Sequence, residues 1–446
     1  MPLLVDIGPL RRFPQFRRLW MGYVVTLLGS QLTIVAVAYQ VYVITGSSLD
    51  VGFISLVQLG PQLVGSVVGG AFADAVDRRY VLIVCQLSMA VSSVGLLLNA
   101  FSSDPQLWVV YVCAAVTAGF NGADSPTRLA MQANLVPRED FATANTIRQL
   151  LQQVSYIAGP GIGGLLIASV GLKSVFATDV ASFFVAIAAV VSMKALPPTG
   201  GGRRFGVKSI QEGFAYLKGR QVIQGCFVAD LNATIFGQPT ALYPALALHH
   251  FHGGAKTLGL LYIGTNIGSL AMAFLSGWTS RIRRQGVAVL VAITIWGAAI
   301  ACFGLVSSLA LAVVLLAFAG AADVISAVFR NTIIQAVVPD SLRGRLSAIN
   351  IAVINGGPRL GNVEAGFAAG ISTEFSVVSG GLICMLGALV QARAMPKFRD
   401  FTFDSLSSDA EEAEMAIEPA TDPPEEQSGR PPEGRPRSIG NRKSIS

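Results

Sequence analysis

The sequence predicts an all-α membrane protein: twelve transmembrane helices in two pseudo-symmetric six-helix bundles. Three observations predict it. The first is composition. The 446 residues are 52% hydrophobic and only 13% charged, with a mean hydropathy of +0.58. Soluble chains carry about 25% charged residues. So much apolar surface cannot be hidden from water in a soluble fold of this size, and part of the solvent must be lipid. The second is the number of apolar stretches near the ~20 residues that cross a bilayer as a helix. The third is an internal repeat. Gly52, Gly70 and Arg78-Arg79 recur as Gly259, Gly277 and Arg283-Arg284, with both glycines 207 positions on. Arg128 and Pro137 recur 202 positions on as Arg330 and Pro339. Duplicated apolar halves joined by a polar linker are a common build of membrane transporters.

The expected spans, each an apolar run closed by a polar or basic turn, are Leu19–Ile44, Val51–Ala75, Tyr80–Ala100, Leu107–Met131, Ala142–Ile167 and Leu172–Met193 in the first half. Val222–Leu248, Leu258–Trp278, Val287–Val306, Leu309–Val338, Leu346–Ile371 and Val377–Ala394 follow in the second. The fifth and eleventh carry the most polar residues. Barrel strands would be about ten residues long with alternating polarity; these runs are longer and apolar all round. Arg11, Arg12, Arg17 and Arg18 precede the first span. That span is too long for a signal-peptide core and is expected to stay as a helix. The halves are then residues 1–194 and 221–395. A cytoplasmic linker at 195–220 holds the Pro/Gly/Arg-rich LPPTGGGRRFG and a short amphipathic helix over Val207–Gly219, with Val207, Ile210, Phe214 and Leu217 at helical spacing. Residues 396–446 read as a cytoplasmic tail, acidic through Glu426 and then basic, too polar to offset its ordering entropy and so expected to be disordered.

Lys and Arg mark cytoplasmic loops. One set of loops holds the N-terminal arginines, Arg78/Arg79, Arg138, the linker cations, Arg281/Arg283/Arg284, Arg343/Arg345 and Arg393/Lys397/Arg399; the alternate loops hold Lys173 and Lys256. Both termini are therefore expected in the cytoplasm. Topology accounts for the net charge of +6, with no nucleic-acid partner required. The five cysteines all fall in spans, where cysteine acts as a small hydrophobe; neither disulfide nor metal site is expected.

The turn after the second span reads Gly69-Gly70-Ala71-Phe72-Ala73-Asp74-Ala75-Val76-Asp77-Arg78-Arg79. Gly70 allows close helix approach in lipid. Asp74 can accept from the amino-terminal N–H groups of another helix, where the macrodipole favours an anion. Arg78 and Arg79 can anchor at the inner leaflet and pair with acids on that face, completing a cytoplasmic latch. This stretch resembles the loop 2–3 signature of the major facilitator superfamily, Gly-x-x-x-Asp-Arg-x-Gly-Arg-Arg. Gly70, Asp74, Arg78 and Arg79 match; Ala75 and Asp77 replace the usual arginine and second glycine, so the latch is wired differently. Within the superfamily the chain is most similar to the enterobactin exporter group, through Asp50-Val51-Gly52, Leu242-Tyr243-Pro244-Ala245-Leu246-Ala247 and the stretch from Leu342 to Asn350. The likeness covers about residues 10–395. Gly159-Pro160-Gly161-Ile162-Gly163-Gly164 resembles the superfamily's antiporter signature, in which glycine and proline bend a helix and let another approach. Gly356-Gly357-Pro358 is comparable in the second half. The resemblance implies export of an amphiphile such as a siderophore or macrolide.

Ionisable residues inside spans cost about 2.5–3.5 kcal/mol each on insertion scales and demand a reason. Asp230 is the first candidate for proton coupling, with Asp323 and Glu364 as alternatives, because a carboxylate in a low-dielectric cavity can load and release a proton. Arg148 and Arg359 are candidate cavity charges; the competing reading is that acids and bases pair to hold helices together. Arg128 and Arg330, near the inner interface, read as part of the cytoplasmic gate. His249, His250 and His252 lie at the outer end of span seven, read as an interfacial loop. The absence of a Gly-x-x-x-x-Gly-Lys-Ser/Thr loop excludes ATP as the driving force, and no clustered catalytic set points to an enzyme. The expectation is a cofactor-free, monomeric, proton-coupled exporter in the cell membrane, its partners a small-molecule substrate, protons and lipid. Uptake or lipid flipping by the same fold, and a receptor acting through the tail, are the alternatives.

Overall fold

The computed structural model describes residues 8–195, 216–338 and 340–402; of Asp74, Ser280, residues 340–345, Ser347 and Ala348 it describes the backbone alone. The amphipathic helix expected in the linker lies almost wholly outside these residues, as does the tail beyond Thr402.

The first half consists of α1 (Pro14–Thr45), α2 (Ser48–Ala75), α3 (Arg78–Phe101), α4 (Leu107–Leu135), α5 (Phe141–Ser169) and α6 (Leu172–Val191). The second consists of α7 (Gln221–Phe236), α8 (Gly254–Leu275), α9 (Gln285–Phe303), α10 (Leu309–Val337), α11 (Asp340–Ala368) and α12 (Thr373–Ala394). Local chemistry sets the boundaries. Pro14 opens α1, where its missing N–H costs nothing, and Gly46 closes it with φ of 65°. The Ser47 hydroxyl accepts from the Asp50 N–H to start α2, the Asp77 carboxylate accepts from the Arg79 N–H to start α3, and Ser372 does the same for α12 through Phe375.

Ten helices are long and apolar enough to span a membrane among the described residues. The two others are α7 and α11. Span seven, expected as one run over Val222–Leu248, is broken: α7 stops at Phe236, Gly237-Gln238-Pro239 interrupts it, and short turns continue to His250. Pro239 offers no N–H and disfavours helix in the residue before it. α11 forms at full length but is too polar, since Asn355, Arg359 and Asn362 face an internal cavity. The C-terminal segment packs further than the composition suggests. Pro396–Arg399 makes a helical turn whose fully buried Phe398 sits against Gly225 of α7.

The repeat is carried into the packing. In the first half α1 packs on α5 and α6, α2 on α4, and α3 on α4 and α6. In the second, α7 packs on α11 and α12, α8 on α10, and α9 on α10 and α12. Each pair has its counterpart six helices on. The halves meet mainly through two crossings, α5 with α8 and α2 with α11. Both crossings lie toward the end opposite the basic loops, and glycine makes both possible. A Cβ on Gly52 would strike the Asn362 carbonyl, and one on Gly366 would lie 2.7 Å from the Leu49 Cα. A Cβ on Gly259 would lie 2.8 Å from the Pro160 carbonyl, and one on Gly164 2.5 Å from that of Ala255. Gly52 and Gly259 are the 207-residue repeat pair, whereas Gly164 and Gly366, like Pro160 and Asn362, are 202 apart. The two crossings are one contact made twice. At the basic end, an added carbon on Gly70 would meet no atom of the described residues within 4 Å.

Candidate functional site

Between the halves lies a cavity of about 710 Å³. It reaches from Val51 and Ile54, near the α2–α11 crossing, to Leu19, Trp20 and Gln132 toward the basic end. The first half supplies most of its wall. The second supplies Thr240, Ala241, Tyr262, Asn355, Arg359 and Asn362. The wall mixes apolar and aromatic surface with amides and three arginines, Arg128, Arg148 and Arg359.

A continuous polar chain runs along the first-half wall. Arg128 donates to both Asp124 oxygens, at 2.9 and 2.8 Å, and Gln86 donates to the same carboxylate at 2.8 Å. The residues are one helical turn apart on α4, and the pair is almost fully buried. The guanidinium also lies 4.8 Å from the Tyr23 ring centroid, a cation–π contact. The Tyr23 hydroxyl accepts from the Gln152 amide at 2.8 Å, and Gln152 in turn accepts from Arg148 at 3.0 Å. In the second half, Arg330 pairs with Asp230 at 2.6 Å, both buried between α10 and α7. Asp230 lies 207 positions after Tyr23, as Arg330 lies 202 after Arg128. Each half thus holds one arginine of its fourth helix against one side chain of its first, an aromatic ring in one case and a carboxylate in the other.

Of the residues singled out from sequence, Arg128, Arg148 and Arg359 are brought to the cavity wall. Arg359 donates to Gln62, and Asn362 donates to Ser55 at 2.9 Å, so α11 and α2 are joined across the halves by side chains as well as by glycine. Asp230 and Arg330 lie off the cavity, paired with each other rather than with Arg148 or Arg359. Asp323 lines a second, smaller cavity inside the second half, and Glu364 is half-buried on α11. Gly159 packs against Gln31 of α1, Gly161 against Ile263 of α8, and Pro160 lies within an unbroken α5. Arg78 is buried and donates to the carbonyls of Ala73 and Ala130, while Arg79 donates to that of Met193 at 2.6 Å. These arginines tie the ends of α2, α4 and α6 together within one half. The three histidines do not converge: His249 packs edge-on against Tyr42, and His250 contacts Glu374 at 3.2 Å and the Val306 carbonyl at 2.9 Å.

Sequence reading missed Asp124, Gln86 and Tyr23. An acid four residues before Arg128 inside an apolar run was the available signal for Asp124. Buried Asp179, which accepts from Ser93 at 2.6 Å and lines the cavity, is a further polar element of the wall.

Two pseudo-symmetric helical halves around a polar, arginine-bearing cavity define a multi-pass membrane transporter of major facilitator architecture. The chain belongs to the transmembrane secretion effector family, whose model matches residues 6–423. It is 28% identical over 410 residues to the enterobactin exporter EntS of Citrobacter koseri, covering 89% of this chain and 98% of that one. It is 28% identical over 418 residues to the Escherichia coli EntS, covering 91% and 99%. Among solved structures it resembles the nucleoside transporter NupG, with a TM-score of 0.69 at 13% identity, covering 87% of this chain and 100% of that one. It also resembles a bacterial homologue of the iron transporter ferroportin, with a TM-score of 0.64 at 14% identity, covering 85% and 98%. These last likenesses concern the fold. Family and relatives together make the chain a secondary transporter, not an enzyme.

Proposed function

We propose that the chain exports a small amphiphile, a siderophore or drug bearing anionic or strongly accepting oxygens, across the bacterial inner membrane in exchange for protons. The observation that carries this reading is the arginine set in the cavity wall. Arg128, Arg148 and Arg359 each keep one buried guanidinium nitrogen with no hydrogen-bond partner among the described residues. Those nitrogens are themselves closed off from the cavity; what a ligand there would meet is the charge of Arg148 and Arg359, which pair with no carboxylate among the described residues. The aromatic and aliphatic wall would take the apolar part of the same molecule. The similarity to enterobactin exporters supports the outward direction and the siderophore class.

The two glycine crossings at one end, and a Gly70 with no described residue within reach of an added carbon at the other, match a state open toward the basic loops, the side that the positive-inside rule favours for the cytoplasm. Alternating access then amounts to rocking one half against the other. Gly159, Pro160 and Gly161 in α5 would absorb bending; Asp74, Arg78 and Arg79 would form the gate on the cytoplasmic face. A proton taken up by Asp230 would release Arg330, so Asp230 is the first coupling candidate, ahead of Glu364 and Asp323.

The test is transport in inverted membrane vesicles carrying an imposed proton gradient. Uptake of a catecholate siderophore or amphiphilic dye into the vesicles, abolished by a protonophore, is expected. Movement in the opposite sense would establish an importer, and transport indifferent to the protonophore would overturn proton coupling. Deleting the residues beyond Thr402 should leave most of the activity, against the outcome for a receptor working through its tail.

A further inference from the structure

Asp323, the last of the coupling candidates above, lines a small cavity whose other groups the export cycle does not use. It measures about 150 Å³ and lies inside the second half, where α7 breaks at Gly237-Gln238-Pro239 and faces α8, α9 and α10. Four of its lining side chains spend their hydrogens elsewhere. Both N–H groups of Asn266 go to carbonyls, those of Tyr262 at 2.8 Å and Tyr156 at 3.2 Å, which leaves its amide oxygen as an acceptor. The Ser269 hydroxyl donates to the Gly320 carbonyl at 3.0 Å, and the Thr240 hydroxyl donates to Asn362 at 2.5 Å. The Trp296 indole donates to the Gly237 carbonyl at 2.8 Å. Gln238, Tyr243 and Thr265 keep both donor and acceptor capacity and can each turn an oxygen toward a cation. Asp323 receives no hydrogen bond among the described residues. The nearest arginine on its own helix, Arg330, is two turns away and paired to Asp230.

A pocket with an unpaired carboxylate, an amide and hydroxyl oxygens left as acceptors, and no cation in its lining has the electrostatics of a cation site. The break in α7 adds the negative end of a helix dipole, and interrupted membrane helices are where coupling cations are held in other transporters. One formal negative charge balances a monovalent ion; a divalent ion would sit with net positive charge in low dielectric. The volume accommodates a small ion with a few waters, each about 30 Å³. We propose that this pocket binds a sodium-sized monovalent cation through Asp323, Asn266, Ser269 and the broken turn of α7. This goes beyond the export reading and does not depend on it.

The test uses the full chain in detergent with Trp20, Trp108 and Trp278 replaced by Phe, so that Trp296 at the pocket is the remaining fluorophore. Sodium chloride is titrated against choline chloride at constant ionic strength, with potassium chloride in parallel. A saturable shift of Trp296 emission with sodium is expected, with a rise in thermal midpoint of about 3 °C or more at saturation. Asp323→Asn should abolish both, and Ser269→Ala should weaken apparent sodium affinity about tenfold. Ser269→Ala also serves should Asp323→Asn prove poorly folded by circular dichroism. No saturable response, a response equal in choline, a response to pH without one to sodium, or a sodium response unchanged in both variants would overturn the proposal. Sodium binding without proton-driven export would overturn the export reading alone.

Discussion

At the scale of single residues, the two arginines of the repeat are held by different partners, and the difference predicts different sensitivities. Asp230 and Arg330 are a buried ion pair, and removing one partner leaves an uncompensated charge at a cost of about 3–5 kcal/mol. Asp230→Asn and Arg330→Gln should each lower stability by that order in chemical unfolding. The double variant should recover much of the loss while still failing to couple transport to the proton gradient. Intact gradient-dependent transport in Asp230→Asn would remove Asp230 from the coupling role. In the first half, Tyr23→Phe removes one hydrogen bond to Gln152 and should cost only about 0.5–1.5 kcal/mol. Asp124→Asn, which strips Arg128 of its anion, should cost more than twice as much. The recurrence of Arg128 as Arg330 was legible in the sequence, and their partners were not. Tyr23 becomes visible as a counterpart of Asp230 only once the register of the repeat is applied to residues of different chemistry.

At the scale of elements, the glycine pattern was the most informative part of the chain, for a reason the sequence did not state. Gly52 and Gly259 recur because each lets one half touch the other at the same end of the bundle. The cluster around Pro160 is read from sequence as a bending device. Its glycines are also contact surfaces, Gly159 toward α1 and Gly161 and Gly164 toward α8. Gly164→Leu should force α5 and α8 apart at the end opposite the basic loops. In cysteine-accessibility measurements, a probe at Ile263 should then label faster from outside; unchanged labelling would mean that the crossing is not the seal. The break in span seven was written in Gly237-Gln238-Pro239, but apolar sequence on both sides hid it, since hydropathy carries no information on where a backbone N–H is missing. The polarity of α11 was visible, and its cause, the cavity-facing Asn355, Arg359 and Asn362, needed the tertiary arrangement.

At the scale of the whole molecule, composition and repeat sufficed for the fold because lipid permits few solutions to the backbone hydrogen-bonding problem. They could not reveal the state adopted. Two glycine crossings close one end, where α2 and α11, running antiparallel, touch at Gly52 and Asn362, while an added carbon on Gly70 would meet no atom of the described residues within 4 Å. If transport consists of rocking about the cavity, Arg359→Gln should reduce substrate movement at least about tenfold, the loss of one charge-assisted bond. The most direct measurement is the distance between spin labels at Gly70 and Ile351, read by pulsed electron resonance in a cysteine-free background. A long distance in the free protein, joined by a distinctly shorter population when substrate and a proton gradient are supplied, is the predicted result. A single unchanging distance under transporting conditions would contradict the account.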